Sequence, residues 1–159
     1  MRPIKTNNFW KGREGHKIKA VVLHITEGSL LATVNHFENP RSQTSAHWIV
    51  DEYGNWIPVV DEKDSAWHCG RVVRPTWNGL IEGVNPNLYT IGVECVVRKR
   101  SIWIVPRIKQ WLSWARGIER ITKQYGIEMV NHNEINAGKI CPGKYFNKWW
   151  AKLLIKYFI

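Results

Sequence analysis

Long apolar runs are absent from this sequence; nothing approaches the roughly 18 consecutive apolar residues that would suggest a membrane span. Also missing is an apolar h-region, because a polar stretch through Lys17 follows the basic opening Met1-Arg2-Pro3-Ile4-Lys5, and no secretory signal is expected. Cysteine is scarce. Cys69, Cys95 and Cys141 form no recognisable disulfide framework, and an odd count leaves at least one thiol free unless chains cross-link. Synthesis in a reducing cytoplasm is the simpler expectation, with release by another agent if the target lies outside. No internal repeat, low-complexity tract or interdomain linker divides the 159 residues, a length that fits one domain with one core. Acidic residues number only 13 against 23 lysines and arginines, for a net charge of +10. So basic a surface attracts polyanions: nucleic acid, anionic lipid headgroups or acidic cell-wall polymers, among which charge alone does not choose.

What is present is patterned. Residues 1–17 carry no sustained period and are expected to form an irregular arm. Ala20-Val21-Val22-Leu23 is a continuous apolar run, as in a strand buried on both faces, and it delivers His24 at or near the strand end. Leu30, Leu31, Val34 and Phe37 then follow a helical period, with Ser29 as N-cap and Asn39-Pro40 as the stop. Ala46–Val50 and Trp56–Val60 flank a turn around Tyr53-Gly54-Asn55, and Pro58 puts the second strand of that hairpin at an edge or bulge. Residues 61–88 are rich in breakers, and a loop that long commonly walls a cleft. Thr90–Val97 resumes strand character. Ile108, Trp111, Leu112, Ala115, Ile118, Thr122 and Tyr125 mark one face of a long helix, with Pro106 in its first turn and Gly126 as C-cap. A strand over 127–132 and a last helix complete an α/β domain with a central mixed sheet and helices on its faces.

Chemistry concentrates at His24, at His132 in Asn131-His132-Asn133-Glu134, and at Cys141 in Lys139-Ile140-Cys141-Pro142-Gly143. Two imidazoles and a thiolate can supply three ligands to a zinc ion and leave its fourth position open, the catalytic rather than the closed structural arrangement. Each residue also has a plain alternative: a hydrogen-bonded structural histidine, or a cysteine that is a small buried hydrophobe.

His24 in its strand, Ser45-Ala46-His47-Trp48, Ala66-Trp67-His68-Cys69-Gly70, Ile91-Gly92-Val93-Glu94 and Lys139–Gly143 occur in one order. From about Lys19 to the end, the chain resembles the zinc-dependent N-acetylmuramoyl-L-alanine amidases, a family that includes phage endolysins, bacterial amidases and peptidoglycan recognition proteins. The resemblance implies that fold, and one zinc ion held by His24, His132 and Cys141 with water as fourth ligand. Many members carry aspartate where this chain has Cys141, and others carry cysteine. It further implies that Glu94 accepts the proton of the attacking water, that Lys139 stabilises the oxyanion, and that Trp67 and His68 line the substrate groove. His47 is either a further substrate-side residue or a hydrogen-bonded core histidine. Some relatives have a catalytic tyrosine where Ala46 stands, which shifts the proton-transfer role onto Glu94. The implied reaction is hydrolysis of the amide joining N-acetylmuramic acid to L-alanine in peptidoglycan.

Residues 144–159 read as a basic amphipathic helix: Phe146, Trp149, Trp150, Leu153, Leu154 and Tyr157 make one face, and Lys144, Lys148, Lys152 and Lys156 recur every fourth residue. It is expected to pack on the sheet, with its basic face a candidate for anionic membrane or wall polymer. With no room for a separate wall-binding domain, the chain suits a monomeric endolysin. Three rivals remain: a peptidoglycan-binding module without activity, a nucleic-acid-binding protein drawing on charge and aromatics, and a cysteine peptidase using Cys141 and His132.

Overall fold

Strict alternation along buried strands sets the architecture. The computed structural model describes residues 3–98 and 105–159; Met1 and Arg2, where the expected arm begins, lie outside the described residues. In chain order the elements are β1 (Phe9–Trp10), β2 (Ala20–Glu27), α1 (Leu30–Glu38), β3 (Trp48–Val50), β4 (Trp56–Pro58), β5 (Ser65–Ala66), β6 (Thr90–Arg98), α2 (Ile108–Tyr125), β7 (Glu128–Asn131), α3 (His132–Ile135) and α4 (Lys148–Phe158). Five strands form one mixed sheet in the order β4-β3-β6-β2-β7, and β1 and β5 form a separate pair. The β3–β6, β6–β2 and β2–β7 pairings are parallel. The β3–β4 hairpin is antiparallel and puts Pro58 on the edge strand, where its missing N–H costs no ladder bond.

Strand β2 is buried on both faces, as its unbroken apolar run requires. Val21, Leu23 and Ile25 point to the side covered by Trp111, Trp114, Ala115 and Ile118 of α2 and by Ala151 and Leu154 of α4. Ala20 and Val22 point to the other side, packing on Cys69, Trp77, Leu88, Tyr89, Val130 and Ile135. Fully burying each such Val, Leu or Ile contributes roughly 1.5–3 kcal/mol against the entropy of ordering the chain. His24 shares the second face by parity, so it enters a layer built from the long loop, β7 and the one-turn α3.

Local signals act as expected at several ends. Ser29 caps α1, its hydroxyl accepting from the Ala32 amide, and Gly126 closes α2 with φ +64°, a left-handed conformation that glycine adopts without a Cβ penalty. Others are corrected. Strand β2 runs on to Glu27, so His24 lies near its end rather than at it. Helix α2 starts after Pro106, and its first residue, Ile108, is 62% exposed. The last helix begins at Lys148, with Asn147 accepting from the Trp149 and Trp150 amides, rather than at Lys144. Trp149 and Tyr157 of the anticipated apolar face are solvent-exposed, while Phe146 is buried ahead of the helix.

The N-terminal arm is less irregular than its composition suggests. Phe9 and Trp10 pair with Ala66 and Ser65. The buried Arg13 donates from Nε to the Glu62 carbonyl at 2.8 Å and from Nη1 to the Leu88 and Thr90 carbonyls at 3.2 and 3.1 Å. A rigid fork of donors suits this task, tying the arm and the long loop to the start of β6.

Candidate metal centre

Parallel strands end at the same edge of a sheet, and side chains near those ends converge on one crevice. His24 of β2 lies opposite Glu94 of β6 in the parallel register, and β7 runs directly into α3 with His132 as its first helical residue. The turn after α3 folds back, the Asn133 amide donating to the Cys141 carbonyl at 3.1 Å, which brings the thiol under the end of β2. His24 Nδ1 and His132 Nδ1 are 3.0 Å apart, and Cys141 Sγ lies 3.7 Å from His24 Nδ1. One donor atom from each of the three residues falls within 4.8 Å of the others, and all three side chains are buried.

This donor set fits zinc. Two nitrogens about 2.0–2.1 Å from a tetrahedral ion are roughly 3.3 Å apart, close to the spacing found here. His132 Nε2 lies 3.0 Å from the Cys69 carbonyl, which can only accept, so that nitrogen carries the hydrogen and Nδ1 presents a lone pair toward His24. Burial depresses His132 to a pKa of about 4 and His24 well below the usual histidine range, keeping both rings neutral as ligation requires. The Ile25 amide donates to Cys141 Sγ at 3.3 Å, an interaction that favours thiolate. Burial nonetheless raises the Cys141 thiol well above its ordinary value, with the charge of Glu94 adding to the effect. A cysteine nucleophile needs the opposite shift, and so does a metal-bound thiolate, for which a cation at the site would supply it.

Glu94 Oε1 stands 4.0 Å from His24 Nδ1, and its Oε2 is buried without a hydrogen-bond partner. Burial, reinforced by the charge of Glu27, pushes this carboxyl up to about 8. Lys139 is exposed at the mouth, and its positive charge reaches His24 and His132. His24, His68, Glu94, His132, Lys139, Cys141 and Trp67 all line one cleft of about 550 Å³. Trp67 lies 5.3 Å between centroids from Trp10, the two rings tilted by 57°; Trp10 is an arm residue that sequence reasoning left out, along with Gln43, Thr44, Asn85 and Asn87. Only the β1–β5 pairing brings Trp10 there, and no local signal announces a two-residue strand.

His47 is not in the cleft. Fully buried, it accepts the Gly92 amide at Nδ1 (2.9 Å) and sets Nε2 3.1 Å from the Asp64 carbonyl; burial and then the Arg13 charge lower it to about 3. It therefore bonds strand to loop, the second of the two roles anticipated. A larger concavity of about 1260 Å³ lies between Trp48, Trp56, Tyr125 and the arm, but contains none of the converged donors.

The molecule is thus a mixed-sheet α/β domain whose three N/N/S donors open onto a cleft. The N-acetylmuramoyl-L-alanine amidase family model matches residues 14–144, and the chain belongs to that family. N-acetylmuramoyl-L-alanine amidase A of Achromobacter lyticus is 30% identical over 93 residues, 58% of this chain and 44% of that protein, so the chain matches less than half of the relative's length. Among solved structures, a selenomethionine derivative of AmpD aligns with TM-score 0.76 at 18% identity, covering 96% of this chain and 93% of that one. The amidase LysC of Clostridium intestinale aligns with TM-score 0.64 at 12% identity, covering 98% of each chain. A mutant endolysin from Bacillus subtilis aligns with TM-score 0.59 at 20% identity, covering 98% and 88%. These likenesses establish the fold.

Proposed function

We propose that this chain hydrolyses the amide between N-acetylmuramic acid and L-alanine in peptidoglycan, using one zinc ion held by His24, His132 and Cys141. One observation carries the reading: three metal donors, a buried carboxyl with one oxygen unpartnered and a lysine face a single cleft in a member of the amidase family. Bound there, zinc would polarise the scissile carbonyl and lower the pKa of an attacking water. With that positive charge beside it the raised Glu94 carboxyl would ionise, and its carboxylate then takes the water's proton and passes it to the departing L-alanine nitrogen. Lys139 holds its ammonium over the developing oxyanion. Trp67 and Trp10 offer aromatic faces to the glycan or stem peptide. Purified sacculi should yield new L-alanine N-termini, identified by mass spectrometry, and a chelator should stop their release. Cleavage elsewhere in the polymer, or undiminished cleavage after metal removal, refutes the assignment.

Phage-type lysis is the setting we infer, with synthesis in the cytoplasm and action on the wall after release, by a monomer without specific nucleic-acid targets. Among the described residues no helix is long and apolar enough to cross a membrane. Docking to an anionic bilayer or wall polymer falls to α4. Trp149, 61% exposed, lies on its outer face with Lys152 and Lys156, an apolar anchor flanked by cations. Lys148 is withdrawn from that face by its ion pair with Glu134.

A further inference from the structure

Hydrogen-bond direction around the centre can be followed atom by atom from a carbonyl outward. The Thr90 hydroxyl donates to the Pro86 carbonyl at 2.7 Å, so its single hydrogen is committed. Its oxygen must therefore accept from His68 Nε2, 3.2 Å away. With that hydrogen on Nε2, His68 Nδ1 carries a lone pair that faces two donors, the Cys69 thiol at 3.4 Å and, nearer, His24 Nε2 at 3.1 Å, from which it accepts. His24 is left with a bare Nδ1, the atom that faces His132 Nδ1 at 3.0 Å and Cys141 Sγ at 3.7 Å. His132 reaches the same state through the adjoining residue, since its Nε2–H is taken by the Cys69 carbonyl. Two lone pairs then confront each other across 3.0 Å, an arrangement a shared cation relieves.

We propose that the His68-Cys69 step of the long loop is the orienting shell of the metal centre, with His68 and Thr90 acting as positioning residues that hold His24 in the Nε2–H tautomer. His68 still lines the cleft, but both of its ring nitrogens are engaged by protein, leaving none to hydrogen-bond a ligand. The step is itself pinned, because the buried Asn87 accepts the His68 and Cys69 amides on one oxygen at 3.1 and 2.9 Å. One short segment thus governs both histidine donors, and a partner of this kind typically accounts for 10–100-fold in metal affinity. The inference rests on the zinc reading for its consequence, while the tautomer itself does not.

The two parts can be read separately. Nitrogen-15 NMR of histidine-labelled, metal-free protein reports which ring nitrogen of His24 is protonated. Wild type should show Nε2–H; Thr90→Val should shift His24 toward a mixture of tautomers, and Thr90→Ser should restore it. Chelator competition with zinc or cobalt(II) should then show roughly 10–100-fold weaker retention in His68→Phe, a smaller loss in Thr90→Val and recovery in Thr90→Ser. If His68→Phe fails to fold, the Thr90 pair decides. An Nδ1–H tautomer of His24 in the wild type overturns the proposal, as does unaltered metal affinity in correctly folded Thr90→Val. A wild type that binds no metal but holds the Nε2–H tautomer instead sinks the zinc reading and leaves the orienting shell standing.

Discussion

Replacing Gly92 with alanine should cost both stability and metal retention, although Gly92 offers no ligand. It sits in β6 directly beneath the His68 ring, and a Cβ there would overlap ring carbon Cγ while lying 2.7 and 2.8 Å from Cδ2 and Nδ1. Carbon contacts are comfortable only near 3.5–4.0 Å, so the ring must move by roughly 1 Å. Its hydrogen bonds to His24 and Thr90, at 3.1 and 3.2 Å, have no slack for such a shift. Overpacking costs about 1–3 kcal/mol and each lost buried hydrogen bond about 1 kcal/mol. Alanine's smaller backbone entropy in a strand returns roughly 0.5–1 kcal/mol. A net loss of about 2–4.5 kcal/mol remains, which for a domain of this size lowers Tm by roughly 4–18 °C. Thermal denaturation and chelator competition would measure the two effects. Gly28→Ala is the control, because its added Cβ would meet only ordinary contacts at 3.7 and 3.8 Å. Should Gly92→Ala melt and hold metal like the wild type, the packing of His68 against β6 is not what restrains that ring.

Glu94→Gln should retain zinc yet lose about 10²–10⁴-fold in turnover, read by metal analysis beside sacculus digestion; equal loss of metal would make Glu94 structural. Cys141→Ser should shed metal, and an unchanged zinc content would remove it from the ligand set. Asp64 supplies a pH dependence away from the centre. Burial raises this carboxyl, but the Gly12 amide at 2.8 Å and the Lys11 ammonium outweigh it, so its pKa falls below 3.8. A depressed folded-state pKa contributes stability that is present at neutral pH and vanishes as pH falls through that lowered value. Asp64→Asn should therefore be less stable at pH 7 and show a shallower acid limb in denaturation; parallel curves would refute it. Reversing Lys152 and Lys156 to glutamate together with Trp149→Ala should abolish binding to anionic vesicles while sparing hydrolysis of a soluble muropeptide, and undiminished vesicle binding would reject α4 as the docking face.

Much of the site was legible because its residues carry one-dimensional marks. An unbroken apolar run announces a strand buried on both faces, and His24 continues it. Cys141-Pro142-Gly143 and Asn131-His132 stand at breaks where chains turn. Tail periodicity likewise marked a helix but not its inward side: Trp150, Ala151 and Leu154 face the sheet and Trp149 does not, because the docking angle depends on α2.

Local sequence determined where the longer strands and helices lie, which residues are able to ligate a metal, and the excess of positive charge, since each follows from side-chain type and spacing along the backbone. Tertiary structure alone decided that His24 pairs with Glu94 across parallel strands, that His47 is sealed in the core while His68 abuts the donors, and that Trp10 joins the cleft. Those outcomes depend on register and on hydrogen-bond direction between segments 34 to 108 residues apart, and no spacing within a single segment encodes either.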